Sequence, residues 1–111
     1  MAEPTLQEVF GANATQSATD IVIKKADLAS TGLVAAVDNK AEQLFVGMLL
    51  RSAATLTEAS RQSDQSNRNV TVYYGGQDLT GNASTGTFRR DAYSVLLYKP
   101  RALDPVSPSD Y

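Results

Sequence analysis

The clearest hydrophobic pattern in the chain has the period of an α-helix and begins near residue 40. Apolar residues recur every three or four positions and form one stripe, while Arg51 and Thr55 lie away from it. Asn39 can cap the helix, with Glu42 at the third position beyond it. The pattern predicts one long helix over about residues 40–62. Its buried side is predicted to contain Phe45, Met48, Leu49 and Leu56.

The same helix carries a second apolar side in its middle. Val46 and Leu50 extend the apolar surface beyond the main stripe. A helix that is apolar nearly all round is usually buried on more than one side. We therefore expect this helix to pack on a sheet and also on either loops of its own chain or a partner.

Two segments after the helix have the period of β-strands. Residues 70–74 alternate Val70, Val72 and Tyr74 with Thr71 and Tyr73. Residues 92–98 carry apolar groups on both faces, which fits either a central strand or one covered by a partner. The two segments are predicted to pair antiparallel.

The connection between these strands is glycine-rich. Gly75 and Gly76 can form a tight turn directly after the first strand. Residues 77–87 are then either a loop or an edge ribbon.

The N-terminus carries a short helix signal. Thr5 and Glu8 have the spacing of a capping box, and Gly11 is a plausible end. One or two turns are not stable alone, so this helix must dock on the domain or on a neighbouring chain. A polar linker over residues 12–19 and a first strand over 21–25 are predicted to follow.

Together these elements predict an α+β fold in one domain over residues 1–101. We expect a small antiparallel sheet of three to four strands with one long helix packed on a face, plus the short N-terminal helix. Residues 102–111 contain Pro105 and Pro108 and are predicted to be an extended or disordered tail.

Composition narrows the possible chemistry. The 111 residues include no histidine and no cysteine, which removes the commonest general base, the commonest metal ligand and any disulfide. Asp78 and Asp91 are the acidic residues near the predicted strand ends, and nothing around them in the sequence would shift their pKa values for catalysis. No catalytic, cofactor-binding or metal-binding site is predicted, and the chain is expected not to be an enzyme.

Charge and hydropathy argue against two classes of partner. Ten basic and 12 acidic residues give a net charge of −2, without the basic excess that phosphate binding usually needs. Stacking of single-stranded nucleic acid on the tyrosines would also need a basic groove. No apolar run approaches the length of a membrane span, and the first twenty residues lack the basic start of a signal peptide. We expect a cytoplasmic-type protein that is not secreted and binds neither membrane nor nucleic acid.

Tyrosine and the second apolar side of the helix indicate a protein interface instead. Tyrosine is enriched at interfaces because it buries a large area and keeps a polar tip. The candidate interface residues are Val46, Leu50, Tyr73, Tyr93 and Tyr98.

Three stretches carry a family resemblance: residues 14–28, residues 39–46 and Val70-Thr71-Val72. In these stretches the chain resembles small virion structural proteins of the head, neck or tail of tailed bacteriophages, including phages of cyanobacteria. The resemblance carries over no functional residue. It implies a non-enzymatic structural subunit that assembles with itself or with other virion proteins. The alternative is a small protein- or ligand-binding module of a cytosolic bacterial protein.

Overall fold

The structure is a computed structural model that describes residues 3–99 and 105–111. The α+β class is confirmed, but the described strands form two separate antiparallel pairs rather than one sheet of three to four strands. In chain order the elements are α1 (Leu6–Phe10), β1 (Thr15–Gln16), β2 (Ile21–Val22), a 3-10 helix (Lys25–Thr31), α2 (Ala41–Thr55), α3 (Glu58–Ser63), β3 (Val70–Asn82), β4 (Gly86–Leu97) and a second 3-10 helix (Pro108–Asp110).

The predicted N-terminal helix and its capping box are confirmed. The hydroxyl of Thr5 accepts a hydrogen bond from the backbone N–H of Glu8 at 3.1 Å, and the Glu8 carboxylate accepts one from the N–H of Thr5 at 3.2 Å. Gly11 ends the helix with a φ of 123°, a conformation that disfavours residues with a side chain.

Helix α1 docks on α2 through the side of α2 that the sequence pattern places away from the core. Arg51 donates to the carbonyl of Gln7 at 3.2 Å, and the hydroxyl of Thr55 donates to the carbonyl of Glu8 at 2.6 Å. The last carbonyls of a helix have no partner within it, and Thr55 satisfies that of Glu8. Arg51 adds a second bond to the carbonyl of Gln7, which also accepts from the N–H of Gly11 at 2.9 Å.

The helical span predicted over about residues 40–62 is confirmed over residues 41–63, but it is interrupted at Leu56 and Thr57 between α2 and α3. Thr57 has extended backbone angles and caps α3, its hydroxyl accepting from the N–H of Ser60 at 3.1 Å. The carbonyl of Leu56 leaves the helical pattern and accepts from the N–H of Val72 at 2.8 Å. The break thus connects the helices to the outer edge of β3.

The start of α2 also differs from the prediction. Lys40 is the N-cap residue, and its N–H donates to the side chain of Gln43 at 3.0 Å. Asn39, the predicted cap, instead bonds the loop before it: its side chain accepts from the N–H of Ala36 and donates to the carbonyl of Val34, both at 2.9 Å.

The region before α2 contains less strand than predicted. The strand expected over residues 21–25 is reduced to β2, which pairs with β1 in the segment predicted as a linker. The Asp27 carboxylate holds this region by accepting from the backbone N–H and the side-chain amide of Asn13, at 2.8 and 2.9 Å. Leu28, in the 3-10 helix, is buried.

Strands β3 and β4 form a long antiparallel ribbon whose base has the predicted pairing. Val70 lies opposite Leu97, and Tyr74 lies opposite Tyr93. The tight turn predicted at Gly75 and Gly76 is wrong, because these residues form a bulge and the pairing continues to Asn82 opposite Gly86. Of the two alternatives for residues 77–87, the edge ribbon is therefore confirmed.

The true turn of the ribbon lies at residues 83–85. The side-chain oxygen of Asn82 accepts from the N–H groups of Ser84 and Thr85, at 2.8 and 2.9 Å. Gly86 follows with a φ of 88°. A short turn followed by a left-handed residue is a common hairpin connection.

The buried core of the described residues is small, and the core predicted for α2 is partly wrong. Phe45 is 65% exposed, and Met48, Leu49 and Leu56 are only half-buried. The buried apolar side chains are Ala14, Leu28 and Val72. α2 approaches the 3-10 helix through Gly47 instead, where an added Cβ atom would lie 3.3 Å from the Leu28 side chain. Phe45 is exposed because no described sheet covers its side of the helix.

The described end of the tail folds back toward β4. Residues 102–104 of the predicted tail lie outside the described residues, as do residues 1, 2, 100 and 101 of the predicted domain. The Lys99 ammonium donates to the carbonyl of Pro105 at 3.2 Å and to the Asp110 carboxylate at 3.3 Å. A 3-10 helix over Pro108–Asp110 therefore replaces extended chain at this point.

Candidate assembly surface

The ribbon exposes apolar side chains on both of its faces. Successive residues of a strand point to opposite faces, so the register assigns each residue to one of them. At the base of the ribbon, what we call the first face carries Val70, Val72, Tyr74, Tyr93, Val95 and Leu97. The second face carries Thr71, Tyr73, Ser94 and Leu96 there, and continues along β4 with Ala92, Arg90 and Phe88.

A polar network lies in the middle of the first face. The rings of Tyr74 and Tyr93 meet edge to face with their centroids 5.3 Å apart. The Tyr74 hydroxyl donates to the Asp91 carboxylate at 2.7 Å, and Arg89 donates to the other oxygen of that carboxylate at 3.2 Å. The hydrogen bond to Asp91 raises the pKa of Tyr74 above its usual value, because the bond is lost when the phenol is deprotonated.

The second face carries an exposed ion pair. Arg90 donates twice to the Asp78 carboxylate, at 2.9 and 2.6 Å, in the planar arrangement typical of arginine with a carboxylate. These bonds lower the pKa of Asp78 and raise that of Arg90. Both side chains are more than half exposed, so the pair contributes little to stability, but it leaves no unbalanced charge at this position.

The structure brings together three of the five predicted interface residues. Leu50 of α2 and Tyr93 of β4 line one open groove with Tyr74, so the helix and the first face form a continuous surface. Val46 lies one turn before Leu50 and is about half exposed. Val46, Leu50 and Tyr93 therefore belong to one side of the molecule.

The other two predicted interface residues lie elsewhere. Tyr73 is about half exposed on the second face of the ribbon. The ring of Tyr98 lies under the guanidinium of Arg61, whose central carbon is 3.7 Å from the ring centroid. Tyr98 therefore packs within its own chain, as a cation–π contact between α3 and the base of the ribbon.

Phe45, Leu79 and Phe88 are among the exposed apolar residues that were not predicted as interface candidates. Phe45 was expected in the core, and Leu79 fell in the segment 77–87 left open as loop or ribbon. Phe88 stood at the start of the last strand signal, which runs from Phe88 to Tyr98. All three are more than half exposed. A signal for Phe88 was present, because no turn residue separates it from the strand that follows.

One small cleft lies between α1, the end of α2 and the base of β3. Val9, Leu56, Val70 and Tyr111 contribute to its lining, and its volume is about 250 Å³. Sites for drug-sized ligands usually enclose about 300–1,000 Å³. The cleft is therefore small for a ligand site.

Neither a metal site nor a membrane span is seen in the described ranges. Residues 3–99 and 105–111 contain no group of three His, Cys, Asp or Glu side chains placed to bind a metal ion. In the same ranges, no helix has both the length and the apolar character needed to cross a membrane. The sequence matches no protein-family model and no curated protein, and the fold matches no solved structure.

Proposed function

We propose that the protein is a non-enzymatic structural subunit that functions by binding copies of itself, as a component of a virion head, neck or tail. The observation that carries the proposal is the amount of surface left uncovered. The chain exposes 8,051 Å² to solvent. A compact monomer of 11.9 kDa is expected to expose about 6,000 Å².

The excess surface is larger than one chain's share of a standard interface. It amounts to about 2,000 Å² on a single chain, whereas a stable protein–protein interface buries about 800 Å² of each partner. The radius of gyration, 16.6 Å, likewise exceeds the roughly 13 Å expected for a compact domain of this length. A subunit whose surface is completed by its neighbours explains both values.

The ribbon is the part that most needs a partner. Beyond its base it carries Leu79 and Phe88 into solvent, 72% and 57% exposed. An isolated two-stranded hairpin is only marginally stable in water. Large exposed apolar patches on soluble proteins usually mark contact sites. Coverage by other subunits would supply the burial that the ribbon lacks within its own chain.

The virion assignment rests on the sequence resemblance, and the alternative of a small binding module has less support. A ligand-binding module needs a concave site. The cleft beside Val9 and Tyr111 is small for that purpose, and larger depressions, such as the groove of about 490 Å³ beside Leu50 and Tyr93, are open to solvent. The exposed apolar surface is instead spread over a ribbon and one side of a helix, as in proteins that assemble.

The test is the solution mass over a hundredfold range of protein concentration, measured by light scattering. We expect multiples of 11.9 kDa. Val95→Ser, on the first face, should weaken association, whereas Val37→Ser should not, since Val37 is fully exposed in a loop away from the ribbon. A strictly monomeric mass throughout would contradict self-association. Failure to detect the chain by mass spectrometry in phage particles encoded with it would contradict the virion assignment alone.

A further inference from the structure

The outer edge of β4 is the longest stretch of unpaired strand in the described residues. β4 pairs with β3 on one side and with no described strand on the other. The N–H of Tyr98 donates to Asn69 on the β3 side, and strand residues alternate in direction, so Tyr93, Val95 and Leu97 direct their N–H and C=O groups outward. Such an edge is a template for another strand.

The two edges of the ribbon differ in how well they could accept a strand. On β3, the N–H of Val72 is already bound by Leu56, and the bulge at Gly75 breaks the regular spacing. On β4, twelve residues run without a bulge, a proline or an interior glycine. The β4 edge is therefore the one that can accept a strand over its full length.

A second copy of the same chain fits this edge. Antiparallel pairing of identical strands, side by side, places a two-fold axis perpendicular to the sheet, and residues that face each other must then belong to the same face. The two-fold axis must therefore lie where one residue of β4 faces the same residue of the other copy, and this residue is the centre of the pairing. The two strands pair over almost their full length only when the centre is near the middle of β4.

Length leaves two registers, centred on Asp91 and Ala92, because centres at Arg90 or Tyr93 would leave more of β4 unpaired. Charge then selects between these two. A centre at Asp91 would place two aspartates directly opposite each other. Like charges directly opposite are destabilising. A centre at Ala92 brings no like charges together and pairs residues 87–97 of each copy.

The register centred on Ala92 also matches the exposed apolar groups of the second face. It places Phe88 of one copy opposite Leu96 of the other, twice by symmetry. Both side chains are exposed in the single chain, at 57% and 39%. Asp91 meets Tyr93 on the first face, where a carboxylate and a phenol can hydrogen-bond.

We propose that β4 pairs antiparallel with β4 of a second copy about a two-fold axis at Ala92, so that two ribbons form one four-stranded sheet. The inference rests on the proposed self-association and specifies its surface and register. Each ribbon then loses its free edge at β4, and the helices of the two copies lie at the outer edges of the joint sheet.

The experiment is disulfide trapping, which is clean here because the chain has no native cysteine. Two facing residues that do not share hydrogen bonds have Cα atoms about 4.5 Å apart. Disulfides span Cα distances of roughly 4.4–6.8 Å. Full-length Ala92→Cys should therefore form a covalent dimer rapidly under mild oxidation, at least tenfold faster than matched controls.

Two controls test the register and the edge. Ser94→Cys lies on the same strand and face, but the proposed register places it opposite Arg90, away from its own copy. Thr80→Cys lies on the same face of the ribbon but on β3. Equal cross-linking of Ser94→Cys would overturn the register, and faster cross-linking of Thr80→Cys would overturn the choice of edge.

A second variant provides a readout without cysteine. Val95→Pro removes an N–H that points away from β3, so it should break the pairing between copies and leave the ribbon's own ladder in place. The expected result is a mass close to the monomer, with an unchanged circular dichroism spectrum.

If the chain associates but Ala92→Cys cross-links no faster than the controls, edge pairing is wrong and self-association stands. If the chain is monomeric at all concentrations, both proposals fail.

Discussion

At the scale of single residues, many polar side chains in this protein replace packing that the small core does not provide. Asp27 holds the chain around Asn13, and Thr55 holds the end of α1. Arg68 is buried and bonds the hydroxyl of Ser60, with the carboxylate of Glu8 3.9 Å away. Each of these contacts joins segments that are separated in sequence.

The Tyr74–Asp91 bond gives a prediction for pH. The pKa of Tyr74 is raised in the folded chain, so the stability it contributes is present below the unfolded pKa, near 10, and is lost as pH rises through the folded pKa. Asp91→Asn removes the carboxylate charge and should lower the pKa of Tyr74. The measurement is a pH titration of the tyrosine ring carbons by NMR.

Tyr73 is the matched control for this experiment, because it precedes Tyr74 in the sequence and lies on the other face of the ribbon. At neutral pH, the ring-carbon chemical shifts of Tyr74 should change in Asp91→Asn, whereas those of Tyr73 should not. An unchanged midpoint for Tyr74 in the variant would show that the bond to Asp91 does not form in solution.

At the scale of elements, the contact between α2 and the 3-10 helix depends on the absence of a side chain. Gly47 is buried against Leu28, although glycine is a poor helix former. Glycine at this position therefore lowers the intrinsic stability of α2, but it lets α2 approach the 3-10 helix closely.

Gly47→Val should destabilise the fold by about 1–3 kcal/mol, because the added methyl groups would overlap Leu28 and force the two elements apart. Ala54→Val, at an exposed position of the same helix, is the control and should cost at most about 0.7 kcal/mol, the difference in intrinsic helix propensity. Urea unfolding monitored by circular dichroism measures both. A loss in Gly47→Val no larger than that in Ala54→Val would contradict a tight contact with Leu28, because valine is a better helix former than glycine.

At the scale of the whole molecule, the distribution of apolar surface predicts that folding and association are coupled. Few apolar side chains are fully buried within the chain, and the ribbon and α2 leave many exposed. A chain that buries the rest of its apolar surface in an assembly is stabilised by mass action.

The urea midpoint should therefore rise with protein concentration. For a dimer, a hundredfold increase in concentration adds about 2.7 kcal/mol, per mole of dimer, to the apparent free energy of unfolding. The dependence should disappear in Val95→Pro, whose edge cannot accept the second strand. A midpoint that is independent of concentration in the unmodified chain would indicate that the monomer is stable alone.

Local sequence signals determined the elements that depend on near neighbours. The capping box of Thr5 and Glu8 forms α1, and the alternation of residues 70–74 forms the base of β3, as predicted. The sequence also indicated that Val46 and Tyr93 would be exposed, because each lies at a position of its element where a polar outer surface is expected.

Only the tertiary structure decided where the helix breaks, how far the ribbon runs and which side of α2 is buried. The break at Leu56 depends on Val72, which lies sixteen residues further on and needs that carbonyl at its edge. The length of the ribbon depends on pairing between distant residues, which overrides the turn preference of Gly75 and Gly76. Phe45 is exposed because burial requires a neighbour in space, and hydrophobic periodicity specifies the apolar side of a helix without specifying what covers it.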